Sequence, residues 1–339
     1  MPSESPRGGG AVEGGSRHIL FDELVSTSNL FQAWDRFARG KWSKPDVQSF
    51  ERCLEDNLFA LQEQLIGGTY RHDPYQAFVI HDPKRRQIHK STVKDRVVHQ
   101  AIVNVIEPFF ERRFIFDSYS SRKGKGTHAA VRRLEQMLQK RSRNGNRPVY
   151  VLKMDIASFF ATVDHEILLD QITRVISDSR VVYLLRLIID SFHVNPGKGI
   201  PLGNVTSQLF ANIYLNEFDQ FMKHQLRFRF YVRFCDDFVC TAEDRSVLQL
   251  LIPRIDWFLQ EKLKLKRHSR KTIFRSYRQG INFLGYVITP NGTILRTKTG
   301  RRAMKRINQA NLPSYLGHGS HAKSYRFQQR ITNLVWMNG

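Results

Sequence analysis

Cysteine is scarce in this sequence, which has only Cys53, Cys235 and Cys240 among 339 residues. An odd and sparse set without paired spacing argues against a secreted disulfide scaffold and against a cysteine-based zinc site. No apolar run approaches the roughly 20 residues that cross a bilayer. The first residues also contain no apolar core of a signal peptide. We therefore expect a cytoplasmic location and no membrane association.

Acidic residues are also in short supply. There are 31 Asp and Glu against 53 Lys and Arg, which gives a formal net charge of +22. A field of this sign attracts phosphate backbones, and the binding weakens with salt because counterions are released. Charge alone does not distinguish an enzyme from a ribosome-like structural binder or from a protein that binds anionic membranes. It indicates an acidic polymer as the partner.

Hydrophobic periodicity predicts both helices and strands. Residues 1–17 are rich in Gly, Ser and Pro and predict a disordered tail. The helical spacing of apolar residues predicts helices within 20–65 and at 97–110, 165–176 and 247–263. Thr206 or Ser207 is expected to cap a further helix. Strands are predicted at 75–81, 149–154 and 281–288.

Acidic residues interrupt two apolar β-rich segments. Asp155 follows the strand VYVLKM, and YVRF and FVCT flank Cys235-Asp236-Asp237, a pattern that predicts a tight hairpin with two carboxylates at its tip. Asp-Asp by itself is most often a solvated turn. Acids next to apolar strands need a partner or a metal, however. Three converging carboxylates would repel one another, and hard oxygen ligands suit Mg²⁺, so the pattern predicts a magnesium site.

Several segments together resemble the ordered motifs of reverse transcriptases. VLKMDIASFF is similar to the first catalytic motif, GIPLGNVTSQLFANIYLNEFD to the nucleotide-binding motif, and YVRFCDDFV to the Tyr-x-Asp-Asp box. PKRRQI with VKDRVVHQAI and SRKGKGTHAA resemble the fingers motifs, and LKLKRHSRKT and GINFLGY resemble the later palm motifs. The resemblance runs from about Tyr75 to Arg302 in the family's order, which makes it specific.

This resemblance implies an α+β fold of the right-hand polymerase type. Its parts would be fingers, a ferredoxin-like palm with an antiparallel sheet backed by helices, and a short helical thumb. The expected boundaries are a disordered tail over 1–17, an N-terminal helical region over 18–74, fingers and palm over 75–290, and a basic thumb over 291–339.

The resemblance also implies an RNA-directed DNA polymerase that uses two Mg²⁺ ions, with Mn²⁺ as a possible substitute. Asp155 and Asp236 would bridge both metals, the Ile156 carbonyl would bind one, and Asp237 would assist at the other. Lys271 matches the position of the lysine that is proposed to protonate the pyrophosphate leaving group.

Further residues of the resembling motifs would contact the substrates. Phe160 matches the steric gate that excludes a ribose 2′-OH, although packing in the core is the plainer explanation for its neighbour Phe159. The incoming nucleotide would be contacted by Lys84, Arg86, Leu202, Gly203 and Gln208, although Lys84 and Arg86 also fit a solvated basic loop. Arg122, Lys123 and Lys125 would track the template backbone.

Two positions suggest one branch of the family. Ser207-Gln208 stands where most relatives carry Ser-Pro, and Leu202 stands where a Gln is usual, which resembles the reverse transcriptases of diversity-generating retroelements. That branch implies mutagenic retrohoming with errors at template adenines. The expected partners are a template RNA, the cDNA/RNA hybrid, deoxynucleoside triphosphates, and a basic, oligomeric accessory variability protein.

Other interpretations stay open from the sequence. A defence-associated or unclassified bacterial reverse transcriptase could share these motifs. A degenerate group II intron enzyme is disfavoured, because we find no HNH-like endonuclease motif and little chain for a maturase region. A different class of protein, a non-catalytic RNA-binding protein on a polymerase fold, is disfavoured because all three carboxylates are present.

Overall fold

The structure is a computed structural model that describes residues 19–81 and 85–337. The predicted disordered tail at residues 1–17 and the predicted nucleotide-binding Lys84 lie outside the described residues.

Helices dominate both ends of the described chain, and most of the strands lie in its middle. The helices are α1 Ile19–Val25, α2 Thr27–Ala38, α3 Pro45–Glu51, α4 Leu54–Ile66, α5 Val93–Glu111, α6 Thr127–Ser142, α7 Phe159–Thr162, α8 His165–Thr173, α9 Ser179–Asp190, α10 Val205–Gln220, α11 Arg245–Leu263, α12 Thr297–Arg306, α13 Leu312–Gly319 and α14 Tyr325–Met337. The strands are β1 Gln76–Ile80, β2 Arg86–Lys90, β3 Tyr150–Asp155, β4 Tyr231–Phe234, β5 Asp237–Ala242, β6 Ile273–Ser276, β7 Ile281–Phe283, β8 Tyr286–Thr289 and β9 Gly292–Leu295.

The chain folds into two compact units, and each unit contains two stretches of sequence. The first unit comprises the chain up to Arg112 together with Asp164–Ile213, and the second comprises Arg113–Val163 together with the chain from Tyr214 onwards. The domain boundaries predicted at residues 74 and 290 stay predictions.

The first unit is a helical body with one β-hairpin. Helix α2 begins at the Ser26 cap, whose hydroxyl accepts a hydrogen bond from the Asn29 N–H at 3.2 Å. Its buried face carries Trp34, which stacks on Phe50 with ring centroids 5.2 Å apart. Strands β1 and β2 pair antiparallel in a register that places Ile80 opposite Arg86. The predicted strand at 75–81 is therefore one arm of a hairpin.

The second unit is built on a four-stranded antiparallel sheet in the order β4-β5-β3-β6. Side chains alternate between its two faces. On one face Val151, Val232 and Val239 join a buried cluster with α6, and on the other Phe238 packs against Phe218 at 5.0 Å between ring centroids. The predicted sheet backed by helices is confirmed.

The segment predicted as a single strand over 281–288 is instead a hairpin, so that prediction was wrong. Strands β7 and β8 pair antiparallel around the turn at Leu284-Gly285, where φ is +47° and +91°. The apolar side chain of Leu284 hid this turn, since leucine is rarely found in the left-handed region. A turn at Pro290-Asn291 follows β8 and leads into β9 of the same three-stranded sheet.

The prediction of a helix cap at Thr206 or Ser207 was also wrong. Helix α10 begins at Val205, so both hydroxyl residues lie inside its first turn, and both are buried. Within the described ranges, no helix combines the length and the apolar character that crossing a membrane requires.

Candidate active site

Asp155 is the last residue of β3, the strand that lies between β5 and β6. The mainly apolar run Tyr150 to Met154 forms this strand because Val151 packs on one face of the sheet while Leu152 and Met154 are fully buried on the other. Only 8% of Asp155 is exposed. The strand therefore delivers a carboxylate to the edge of a hydrophobic core.

The β4–β5 hairpin brings the other two carboxylates to the same end of the sheet. The register places Asp155 directly opposite Asp237, and Asp236 lies in the two-residue turn before it. Cys235, the first residue of the turn, has a φ of +54°. The Ile156 N–H donates to the Asp236 carbonyl at 3.3 Å, which ties the turn to the end of β3. Directly opposed residues have Cα atoms about 4.5–5.5 Å apart, so the carboxylates are neighbours.

Burial and charge repulsion at this end of the sheet disfavour the ionised form of Asp236. The pKa of Asp236 is raised by burial first, and then by the charges of Asp155 and Asp237. Burial also raises the pKa of the neighbouring Cys235 thiol to about 12, which leaves that residue a packed thiol and not a nucleophile. A cation placed among the carboxylates would offset their repulsion.

Two lysines contact the carboxylates. Lys271 Nζ donates to Asp155 Oδ1 at 2.6 Å, and Lys153 Nζ lies 3.2 Å from Asp237 Oδ1. The sequence predicted Lys271 but missed Lys153. The sequence could have indicated Lys153, because it precedes Asp155 by two residues and residues two apart lie on the same face of a strand.

The segment after α11 supports the end of β3 through its backbone. The His268 N–H donates to the Asp155 carbonyl at 2.8 Å, and the Ala157 N–H donates to the Lys266 carbonyl at 2.8 Å. Arg267 is held in turn by a two-point contact with Asp256 of α11, at 2.7 and 2.8 Å. These contacts fix Asp155 and bring Lys271 within reach of it.

A buried ion pair lies behind the hairpin turn, and the sequence did not predict it. Arg233 and Asp219 are both fully buried, and Arg233 Nη2 lies 2.6 Å from Asp219 Oδ2. Arg233 Nε adds two contacts to the same carboxylate at 2.8 and 2.9 Å, and the Tyr231 hydroxyl donates to it at 2.7 Å. Arg233 Nη1 also donates to the Cys235 carbonyl at 3.2 Å, so the pair holds the turn that carries Asp236.

The donor chemistry fits a magnesium ion. Within residues 19–81 and 85–337, no three His, Cys, Asp or Glu side chains already form a metal cage. Mg²⁺ does not need one, because it keeps several waters and is usually held by one or two carboxylates together with substrate phosphates. Asp155, Asp236 and Asp237 supply hard oxygen donors of the required kind.

Phe159 and Phe160 differ in burial. Phe159 is 2% exposed and packs against Tyr214 with ring centroids 6.3 Å apart, whereas Phe160 is partly exposed. The chain turns at Ser158, which has a φ of +48°, before these residues form the short helix α7. Part of Phe160 is therefore accessible to solvent, and its predicted role as the steric gate stays a prediction.

Leu202, Gly203 and Gln208 all belong to the first unit. The Leu202 carbonyl accepts a hydrogen bond from the His89 N–H at 3.2 Å, and the side chain is partly exposed. Gly203 has a φ of +113°, and a Cβ there would lie 3.0 Å from Ile88 Cγ2, so the position requires glycine. Gly203 and the exposed Gln208 line one cavity of this unit.

The remaining predicted residues lie on the surface to differing extents. Arg86, in the first unit, is exposed at the start of β2, and Lys123, in the second, is exposed. Arg122 donates to the carbonyls of Ile115 and Ser118 at 2.7 and 2.8 Å, and Lys125 donates to that of Phe116 at 2.9 Å. Their predicted contacts with nucleotide and template stay predictions.

The chain matches a known protein family over the residues that form this site. Residues 81–288 match the model described as "Reverse transcriptase (RNA-dependent DNA polymerase)", which is more than half of the chain. The chain belongs to the reverse transcriptase family. The matched range includes the three carboxylates, both lysines and the buried ion pair.

Curated relatives place this reverse transcriptase near intron-encoded proteins. It is 28% identical over 323 residues to Protein YkfC of Escherichia coli, with 84% of this chain and 80% of YkfC covered. It is 23% identical over 317 residues to the group II intron-encoded protein LtrA of Lactococcus lactis, with 72% of this chain covered. The chain spans only 52% of the length of LtrA.

A solved structure shows the same fold. The apo telomerase of Candida tropicalis matches with a TM-score of 0.52 at 12% identity, over 71% of this reverse transcriptase and 52% of the telomerase chain. At this identity the match concerns the fold alone. The predicted right-hand polymerase fold is confirmed.

Proposed function

We propose that this reverse transcriptase copies RNA into DNA at a centre formed by Asp155, Asp236 and Asp237. The observation that carries the proposal is the strand register, which sets Asp155 opposite Asp237 with Asp236 in the adjoining turn. The reaction joins the primer 3′-oxygen to the α-phosphorus of a deoxynucleoside triphosphate and breaks the bond to pyrophosphate.

Two Mg²⁺ ions, or Mn²⁺ in their place, would be held by the three carboxylates and the Ile156 carbonyl. When bound, such ions stabilise the attacking and the leaving oxygens of an in-line displacement. The raised pKa of Asp236 supports this assignment, because a site that penalises its own third charge gains most from a cation.

The chain's own side chains have further roles in this proposal. Lys271 donates its proton to the departing pyrophosphate, and until then its ammonium group is held by Asp155. Phe160 presents its ring to the sugar and rejects a 2′-OH. Arg86 and Lys84 contact the triphosphate, and Gly203 and Gln208 contact the nucleotide.

Primer extension on an RNA template tests the proposed reaction. We expect the wild-type chain to extend a primer with deoxynucleotides in Mg²⁺ and to stop when the metal is chelated. Asp236→Ala should abolish extension while the protein still melts as the wild type does. If the wild-type chain makes no metal-dependent product, even with candidate RNA and protein partners, the result would favour the alternative of a non-catalytic RNA-binding protein.

In its biological role we propose the mutagenic retrohoming of a diversity-generating retroelement. A Gln at position 202 could hydrogen-bond the nucleotide and favour a correct pair, whereas Leu202 offers packing but no donor. Ser207-Gln208 supports the same branch. The proposed assembly contains the template RNA, the cDNA/RNA hybrid and a basic accessory variability protein, and its proposed location is the cytoplasm.

The substitution Leu202→Gln tests the error-prone part of this role. Losing about 1–3 kcal/mol of discrimination corresponds to roughly ten- to two-hundred-fold more errors. The variant should therefore make fewer errors opposite template adenines, counted by sequencing the cDNA. An unchanged error spectrum would show that Leu202 only packs and that infidelity arises elsewhere.

A group II intron-like role is the second candidate, because LtrA is an intron-encoded protein that matches 72% of this chain. The surrounding locus distinguishes the two. A pair of near-identical repeats that differ at adenines supports retroelement diversification, whereas a flanking intron RNA supports the intron role.

A further inference from the structure

A basic cleft lies beside β4, the edge strand of the four-stranded sheet in the second unit. Helix α6 forms one wall, and the segment that leads into β4 forms the other. The lining residues are Arg133, Gln136, Met137, Lys140, Arg229 and Phe230. Three of these six side chains are cations and none is an acid, so the cleft favours a polyanion.

Two guanidinium groups lie over the ring of Phe230, the aromatic residue among those that line the cleft. The guanidinium of Arg141 lies 4.6 Å from the centroid of the Phe230 ring, and that of Arg229 lies 5.9 Å from it. Arg141 Nε is buried and makes no hydrogen bond within the described structure. Arg141 is not among the lining residues, whereas the exposed Arg229 is, so the Phe230 ring orders one guanidinium group that a ligand in the cleft can reach.

Two acids lie near these cations, Asp117 beside Arg133 and Glu243 beside Arg141, and only Asp117 touches a lining residue of the cleft. The Asp117 carboxylate is buried and contacts Arg133 Nε at 2.7 Å and Lys223 Nζ at 2.7 Å, so two cations already share it. Lys140 and Arg229 are exposed. These two cations are the most accessible in the cleft.

The cleft is separated from the proposed catalytic carboxylates. The Thr241 N–H donates to the Phe230 carbonyl at 3.1 Å. The cleft residue Phe230 therefore lies beside Thr241, near the end of β5. Asp237 begins that strand, and the strand rise from Asp237 to Thr241 is about 13 Å. That distance is about four base-pair steps of a nucleic acid duplex. A strand bound in the cleft is therefore not at the nucleotide being copied.

We propose that the cleft binds the phosphodiester backbone of a folded, double-stranded segment of RNA that is not being copied. Guanidinium groups bind phosphate through paired donors. The Phe230 ring is covered by guanidinium groups, so base stacking is disfavoured, and recognition by backbone and shape suits duplex RNA. A basic protein partner does not fit here, because its charge has the same sign.

The double variant Lys140→Gln/Arg229→Gln tests this proposal in the full chain. The probe is a labelled RNA hairpin with a stem of about 16 base pairs, the length that a double-stranded-RNA-binding domain spans. Its affinity is measured over a range of salt concentrations without nucleotides, so that the result does not depend on polymerase activity. The matched control is Arg254→Gln/Lys262→Gln, which removes two exposed cations from α11 of the same unit.

We expect the cleft variant to bind the hairpin more weakly. In a plot of log affinity against log salt concentration, the slope should become less steep by about two, one for each lost phosphate contact. The control should change little. Extension of a short primer–template that reaches only the carboxylates should stay at the wild-type rate.

Four results would count against the proposal. The cleft variant and the control could show equal salt dependence, which would make the cleft ordinary surface charge. Short-template extension could fall together with hairpin binding, which would place these residues in the copying channel. Hairpin binding could stay unchanged while binding of polyglutamate falls, which would identify an acidic protein as the partner. The charge reversal Lys140→Glu/Arg229→Glu should enlarge the expected effect, and its absence there would also count against the proposal.

Discussion

The substitution Arg233→Met should destabilise the second unit strongly while leaving its surface unchanged. The guanidinium makes three contacts of 2.6 to 2.9 Å with the fully buried Asp219 carboxylate. Its removal leaves that charge with the Tyr231 hydroxyl. Removing one partner of a buried pair costs about 3–5 kcal/mol. For a unit of this size each kcal/mol lowers the Tm by about 2–4 °C, so the expected decrease is about 6–20 °C.

Thermal unfolding followed by circular dichroism measures this effect. The double variant Arg233→Met/Asp219→Leu should regain much of the lost stability, because apolar residues often replace a buried pair without cost. The matched control Arg254→Met, on the exposed face of α11, should melt as the wild type does. If Arg233→Met also melts with the wild type, or if the double variant is no more stable than the single one, the pair does not carry the stability inferred from its burial.

Two other substitutions test the site and the first unit. Phe160→Ala should raise ribonucleotide incorporation without lowering the Tm, whereas the matched variant Phe159→Ala should lower the Tm. Unchanged discrimination between ribonucleotides and deoxynucleotides in Phe160→Ala would contradict the assignment of Phe160 as the steric gate. In the first unit, burial and the nearby charges of His72 and Arg96 lower the pKa of His99 from 6.5 to about 3. Between these two pH values the unfolded chain binds a proton at His99 and the folded chain does not. Stability should therefore fall as the pH drops from 6.5 towards 3, and His99→Phe should flatten that fall in acid-denaturation curves; an identical pH dependence would contradict the reasoning.

The parts of the site that were predictable depend on local patterns. The apolar run before Asp155 specifies a buried strand, and two such runs around Cys235-Asp236-Asp237 specify a hairpin, so both elements follow from neighbouring residues. Their pairing in register with β3 is a long-range result. It followed only from the order of motifs that the sequence shares with a family.

The parts that were missed depend on contacts between distant residues. Nothing near Arg233 indicates that an arginine within a strand is fully buried, because its partner Asp219 lies on a helix fourteen residues earlier. Leu284 looks like a core residue, yet it adopts a φ of +47° in a turn that β7 and β8 impose. Lys153 could have been found, since alternation along β3 places it on the face of Asp155.

Binding of Mn²⁺, followed by electron paramagnetic resonance with a primer–template and an incoming deoxynucleotide present, tests the central claim most directly. The three carboxylates should create cation sites, so the wild-type chain should bind Mn²⁺ and Asp155→Asn/Asp236→Asn should lose that binding while it remains folded. Equal Mn²⁺ binding by the wild type and the double variant would contradict the claim that these carboxylates hold the catalytic metals.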